Sequence, residues 1–349
     1  MDIITTLMNL IGTPTLFMTL LFMLPPFYFF KLSISALSWL FPEDVTNKVV
    51  LITGASSGIG EQLAYEYAKR GAALSLVARR EASLREVAER AREIGAPEVL
   101  VIPGDVSKQE DSRRVVEATV DHYGRLDHLV NNAGISKACA FEEVPDVTNL
   151  SPIVDVNFWG SAFPTHAAIP YLRRSRGKIL VTASGSGWNP HPRMSVYSAA
   201  NAAVINFFET LRIELGDVIG ITIATPGWVE SELTKGKIMS KHGDIEVDQE
   251  TRDAQIGLMP VIYAENCAKA IVDAVCRGDR YLTIPTWFRV LYLWRVFAPE
   301  VPEWCYRMMY MTRPGQPATE ALGKKMVDAT GAKDVLYPSS LHTSEIKKD

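Results

Sequence analysis

Cysteine is scarce and scattered. The four residues, Cys139, Cys267, Cys276 and Cys305, form no CxxC pair and have no histidine at ligand spacing. That pattern argues against a zinc site and against a disulfide framework, and no metal is expected. Reduced, mostly buried thiols suit a domain that faces the cytosol. Basic charge is not in excess either: 36 Lys+Arg stand against 40 Asp+Glu, a formal net charge of −4. The clustered cationic surface that phosphate-backbone binding requires is missing, so nucleic acid is set aside as a partner. No internal repeat or low-complexity tract interrupts the chain. Charge is absent altogether between Ile3 and Phe30, and after a lone Lys31 the apolar character resumes to Phe41.

That uncharged leader has membrane length. A helix from Ile3 to Leu24 would be about 33 Å long, enough for a hydrocarbon core of about 30 Å. A cleaved secretory leader fits poorly, because Met1-Asp2 carries no basic start and the apolar region is too long. The segment is therefore expected to stay attached as an anchor over residues 1–42. Pro14 lies early in it, and Pro25-Pro26 interrupt the helical hydrogen-bond ladder. Two topologies stay open. In one, the residues before Pro25 span a bilayer and the cluster Phe27-Tyr28-Phe29-Phe30 with Lys31 sits at the interface. In the other, the prolines turn the chain inside the apolar phase, which a lipid droplet would tolerate.

From Lys48 the character changes. Val49-Val50-Leu51-Ile52 is apolar without alternation, as in a strand covered on both faces, and it stops at the glycine-rich turn TGASSGIG (Thr53–Gly60). Ile59, Leu63, Ala64, Tyr67 and Ala68 then recur at helical spacing. A strand, a tight glycine turn and a helix N-terminus together favour an anionic ligand such as a dinucleotide pyrophosphate. Strands expected at 73–78, 99–102, 126–130, 178–182, 221–225 and 281–284 alternate with helices at 83–94, 108–123, 150–174, 194–215 and 263–276. Alternation of this kind predicts an α/β fold, a single doubly wound parallel sheet of Rossmann type with about seven strands spanning 48–285. Residues 230–260 are charged, glycine-dotted and aperiodic, and read as a mobile lid. Residues 286–349 form an extension rich in Trp, Tyr and Met, followed by a polar tail expected to be loosely ordered. Its aromatic stretch reads as a packed core or dimer surface, or as an apolar rim on a substrate mouth or bilayer.

TGASSGIG, Asn131-Asn132-Ala133-Gly134, Ser184 thirteen residues before Tyr197, and Pro226-Gly227 after a strand together resemble the short-chain dehydrogenase/reductase family over 48–284. Each motif also falls where open α/β sheets bind ligands, at the carboxyl ends of strands. The resemblance implies that Gly54, Ser56, Ser57, Ile59 and Gly60 contact cofactor phosphates and ribose. It implies that Asp105 holds the adenine and that Asn132, Ala133 and Gly134 line the adenosine side. Pro226, Gly227, Val229 and Ser231 belong to the same cofactor-binding set. Arg79 and Arg80 end the second strand, where NAD-preferring relatives place an acid; cations there suit a 2′-phosphate, so NADP(H) is the expected cofactor.

By the same resemblance Ser184, Tyr197 and Asn157 are catalytic, with Ser184 polarising a carbonyl oxygen and Tyr197 exchanging its proton. The family lysine one turn after the tyrosine is replaced here by Asn201. A unit charge 4–5 Å away at an effective dielectric near 20 is worth about 3–4 kcal/mol, which lowers a phenol pKa by about 2 to 3. Asn201 supplies a hydrogen bond but no charge, so turnover is expected to be damaged while cofactor binding partly survives. Lys235 and Lys237 on the lid are the candidate substitutes for the missing charge.

Over the whole chain, the proline-knotted leader, GRLDHLVNNAG, NFWGS, PRMSVY and FFETLRIELG are similar to plant steroleosins, oil-body members of the 11β-hydroxysteroid dehydrogenase-like group. That implies a sterol or hydroxysteroid substrate, residence on lipid droplets and ER membrane with the catalytic domain in the cytosol, and a homodimer. A catalytically silent nucleotide- or sterol-binding coat protein is the competing expectation.

Overall fold

The computed structural model describes residues 2–239, 243–313 and 315–342. The chain divides into one unit that ends at Glu43 and another that begins at Asp44. The first is a single helix, Ile3–Leu40, of 38 residues, long and apolar enough to cross a membrane. A π-helical turn at Met8–Gly12 interrupts its α-helical geometry. Thr15, Thr19 and Ser33 donate their hydroxyls to carbonyls four residues back at 2.7, 2.8 and 2.9 Å, the self-satisfaction that a polar side chain needs in an apolar solvent.

The chain does not turn at the proline pair, because the helix runs through both Pro25 and Pro26. The proline φ near −65° is itself helical, and the cost is the hydrogen bonds that the carbonyls of Leu21 and Phe22 lose together with crowding of those carbonyls by the proline rings. At 1.5 Å per residue the helix is about 57 Å long, well beyond the hydrocarbon thickness.

The second unit is built on β1 (Val49–Thr53), β2 (Ala73–Ala78), β3 (Val99–Pro103), β4 (His128–Asn131), β5 (Lys178–Thr182), β6 (Gly220–Pro226), a small hairpin of β7 (Lys237–Met239) and β8 (Ile245–Val247), and β9 (Tyr281–Ile284). Seven strands form one parallel sheet in the order β3-β2-β1-β4-β5-β6-β9. Successive β1 residues serve opposite faces. Val50 and Ile52 join the helices 58–69, 81–94 and 264–277, whereas Val49 and Leu51 join 109–123, 160–175 and 195–215. This double burial explains why the strands read as unbroken apolar runs. The order reverses between β1 and β4, which opens a crevice at their carboxyl ends.

Three regions differ from the sequence reading. The helix expected over 150–174 contains a π-helical turn at Asp155–Trp159, between an α-turn at Ser151–Val154 and a helix at Gly160–Ser175. The lid expected to be mobile carries the β7-β8 hairpin and a helix at Gln249–Ile256 whose Arg252 and Asp253 are buried; residues 240–242 lie outside the described residues. Asp253 pairs with Arg252 and with Lys333, each at 2.7 Å, and Arg252 donates to the Thr234 carbonyl at 2.9 Å.

The tail expected to be loose supplies Lys333. It holds a helix at Leu322–Thr330, and buried Tyr337 donates its hydroxyl to the Gly257 carbonyl at 2.9 Å. The Ser340 hydroxyl bonds to Glu230, and 343–349 lie outside the described residues. Helices Phe288–Phe297 and Glu300–Tyr310 bury Phe288 and Tyr310 and expose Tyr292, Leu293, Trp294, Phe297 and Trp304.

Close backbone contact at the crevice makes a stability prediction. A β-carbon on Gly60 would overlap the Gly54 carbonyl oxygen, whereas one on Gly134 would come no nearer than 3.5 Å to any atom. Gly60→Ala is expected to lower the unfolding free energy by about 1–3 kcal/mol and Gly134→Ala to leave it nearly unchanged, as read by urea denaturation. Equal effects would contradict the packing account.

Candidate active site

The crevice deepens into a cavity of about 350 Å³ that runs from the glycine turn to the start of helix Ser195–Leu215. Gly54, at φ 67°, and Gly58, at φ 59°, adopt left-handed backbone that a side chain would strain. Gly54 also has no room for one, since a β-carbon would lie 2.7 Å from Ala133 Cα. The β1 and β4 loops are stitched by Thr53. Its hydroxyl accepts from the amides of Asn132 at 3.0 Å and Ala133 at 3.2 Å, and Asn132 Nδ2 donates back to the Thr53 carbonyl at 3.3 Å. Ser56, Ser57 and Ile59 line the cavity beside Gly54. Gly60 lies behind the turn and does not line it; its missing side chain admits the Gly54 carbonyl and Asn132.

The helix at Gly58–Lys69 begins without a side-chain cap, so its first amides point at the crevice unsatisfied by Ser57. The Ser57 hydroxyl serves Arg80 instead. Arg80 Nη2 donates to Ser57 Oγ at 3.0 Å and to Ser56 Oγ at 3.2 Å, while Arg79 beside it is exposed at the rim. Asp105 holds its own turn, accepting from the Ser107 amide at 3.1 Å and hydroxyl at 2.8 Å. With Ala133 and Gly134 it forms the β3–β4 side of the cavity.

Asn157 is aimed by the π-helical turn that the sequence did not reveal. Its Oδ1 accepts from the Ile135 amide at 2.9 Å and its Nδ2 donates to the Ile135 carbonyl at 3.0 Å. This pair of bonds pins the loop after Gly134 against the cavity wall. On the opposite side Pro226 ends β6, and Gly227, Val229 and Ser231 follow it. The Gly227 amide donates to the Ile284 carbonyl at 2.7 Å, and Thr234 Oγ1 ties the turn by donating to the Val229 carbonyl at 2.8 Å.

Ser184 and Tyr197 meet in the same cavity. Burial pushes the Tyr197 phenol above its ordinary pKa, and hydrogen bonding from the Ser184 hydroxyl and the Asn201 amide lowers it only in part. Among the described residues, the groups acting on the phenol are these two neutral side chains. Asn201 is buried and donates Nδ2 to the carbonyl of Tyr197 itself at 2.9 Å, one helical turn back. Lys237 reaches the cavity, but it lies 3.5 Å from the Glu232 carboxylate.

Sequence reasoning missed several lining residues. Glu232 accepts two bonds from Arg80, Nη1 to Oε1 at 2.8 Å and Nη2 to Oε2 at 3.0 Å. His191, Asn189 and Tyr306 also face the cavity, with Asn189 Nδ2 donating to Tyr306 Oη at 2.5 Å. His191 packs against Trp228, Tyr306 and Tyr310. Only the short offset from Ser184 and Tyr197 hinted at His191, and nothing local hinted at Tyr306.

Burial pulls the His191 imidazole down to about 4, against a smaller upward pull from the Pro192 carbonyl that accepts from Nδ1 at 3.1 Å. A neutral histidine of this kind contributes stability above its unfolded pKa near 6.5. That contribution is lost as pH falls toward the folded value, because the unfolded chain binds the proton first. His191→Phe is expected to remove roughly 3 kcal/mol of the stability lost between about pH 6.5 and about pH 4, measured as the difference between the two proteins' denaturation curves. An unchanged pH dependence would contradict the buried, neutral assignment.

Comparison with known proteins agrees with the geometry. The short chain dehydrogenase family matches residues 48–241. Proteins named 11-beta-hydroxysteroid dehydrogenase A are similar along the entire length: that of Sesamum indicum is 55% identical and that of Arachis hypogaea 53% identical, each over 349 residues and 100% of both chains. Among solved structures, an alcohol dehydrogenase from Thermococcus sibiricus complexed with 5-hydroxy-NADP aligns at TM-score 0.57 and 27% identity, over 68% of this chain and 95% of its own. A 3-ketoacyl-(acyl-carrier-protein) reductase from Brucella melitensis complexed with NADH aligns at 0.59 and 28%, over 69% and 97%.

Proposed function

The chain belongs to the short-chain dehydrogenase family, and from that premise we propose that it is an NADP-linked oxidoreductase of hydroxysteroids or related sterols, held on lipid droplets and ER membrane by residues 3–41. The observation that carries this reading is the single cavity in which the glycine turn, Arg80 and the Ser184–Tyr197 pair all take part. The names and full-length coverage of the plant relatives support the substrate class. The long apolar helix and the exposed Trp294, Phe297 and Trp304 suit a substrate that dissolves in lipid. A homodimer with its catalytic units in the cytosol belongs to the same proposal.

The residues present fit a dinucleotide. Gly54 and Gly58 leave room where a β-carbon would intrude, with Ser231 only 3.1 Å from the Gly58 position. The uncapped amides after Ser57 and the hydroxyls of Ser56 and Ser57 form a donor set for phosphate. When bound, the nicotinamide cofactor supplies or accepts the hydride. Arg80 would hold the 2′-phosphate, and Asp105 with Asn132 the adenosine side. Ser184 would hydrogen-bond the substrate oxygen, and Tyr197 would take the proton from its hydroxyl in oxidation or return it in reduction. Asn157 keeps the wall in place through Ile135, and Asn201 would hydrogen-bond the ribose without charging the phenol.

A second reading, a silent nucleotide- or sterol-binding coat protein, is favoured by one observation: among the described residues, the side chains acting on the Tyr197 phenol are the neutral Ser184 and Asn201. Steroid oxidation by Asn201→Lys beside the unaltered chain separates them. With the phenol raised, the base form grows with pH. The unaltered protein should oxidise slowly, at a rate that rises about tenfold per pH unit toward about pH 10. The lysine variant should gain about a hundredfold at neutral pH with little change in NADPH affinity. Turnover equal to the lysine variant's would refute the asparagine lesion, and no turnover by either would favour the silent reading.

A further inference from the structure

We propose that Glu232 is a specificity-determining residue: its carboxylate occupies the face of Arg80 that a cofactor 2′-phosphate would use, and so sets how strongly the site prefers the phosphorylated dinucleotide. The inference deepens the NADP reading and rests on it. Its basis is geometric. Arg80 presents both terminal nitrogens to Glu232, at 2.8 and 3.0 Å, in the forked pairing by which guanidinium recognises carboxylate or phosphate. The same Nη2 bonds Ser56 and Ser57, so this fork sits on the glycine turn itself. Arg80 and Glu232 each retain only 17% side-chain exposure, which leaves water little screening of the pair.

Two anions cannot share one fork without repulsion, so phosphate binding at Arg80 requires Glu232 to give way. Lys237 offers the carboxylate a second cation, 3.5 Å from Oε2. The turn that carries Glu232 packs on the nucleotide corner as well: Ser231 Cβ would lie 3.1 Å from a β-carbon at Gly58. Exchange of Glu232 from Arg80 to Lys237 would therefore move a carboxylate off the phosphate position while this turn stays in place. A cofactor without the 2′-phosphate makes no such demand.

Calorimetric titration of NADPH and NADH into the full chain, its Glu232→Gln and Arg80→Ala variants and the double variant tests the inference, with the fragments 2′,5′-ADP and 5′-AMP as probes of the phosphate alone. Glu232→Gln should bind NADPH and 2′,5′-ADP about tenfold tighter and NADH and 5′-AMP within about twofold of the unaltered chain. That gain should vanish in the Arg80→Ala background. Glu232→Ala, with circular dichroism to verify folding, repeats the comparison should the glutamine variant fold poorly. An unchanged NADPH affinity in the Glu232 variants, with Arg80→Ala losing the preference for NADPH, would overturn this inference alone. Equal tightening of both dinucleotides would also overturn it. If Arg80→Ala bound both cofactors as the unaltered chain does, the NADP reading and this inference would fall together.

Discussion

The site depends on a place where two loops touch backbone to backbone. Gly54 stands against Ala133, Gly60 stands behind Gly54, and the Thr53 hydroxyl gathers the amides that follow β4. No side chain fits at that corner, so the sheet can bring its reversal point close enough for one ligand to meet both loops. The crevice follows from it. With parallel order reversed between β1 and β4, the carboxyl ends diverge and the cavity runs toward Ser184 and Tyr197. That the glycine turn lies at one end of the cavity and the Ser184–Tyr197 pair at the other is thus a consequence of one packing constraint.

The opposite constraint is electrostatic. Tyr197 sits in a buried place that disfavours phenolate, and the helical turn that could carry a compensating charge carries Asn201, bonded to the tyrosine's own carbonyl. Lys237 and Arg80 converge on Glu232, which places charge at the glycine-turn end of the cavity. His191, Tyr306, Phe288 and Met259 line the cavity beyond it.

Much of the fold was legible because its signals are local. Apolar runs bounded by turns gave β2, β5 and β9 at the residues observed, and Gly95 ends its helix at φ 137° as a helix-stop glycine should. The glycine turn was read from its strand-turn-helix pattern, Asn132–Gly134, Ser184 and Tyr197 from the family resemblance of their motifs, and they share one cavity. What escaped was non-local. A π-helical turn shifts the apolar period by a single residue, too little to stand out, yet it is what aims Asn157 at Ile135.

Burial of Arg252 and Asp253 depends on Lys333 and the segment around Tyr337, 80 residues farther along, so local charge did not reveal these partners. Glu232 was invisible for the same reason: its partner Arg80 lies 152 positions earlier. The proline pair misled in the other direction, as a strong local breaker that an already helical φ absorbed.

The central claim is that one dinucleotide bridges the glycine turn and the Tyr197 phenol. An experimental structure of the full chain soaked with NADPH tests it most directly. The account predicts the pyrophosphate on the amides after Ser57 and the nicotinamide ring within contact of Tyr197. Density for the dinucleotide elsewhere, or a ring directed away from the phenol, would contradict it.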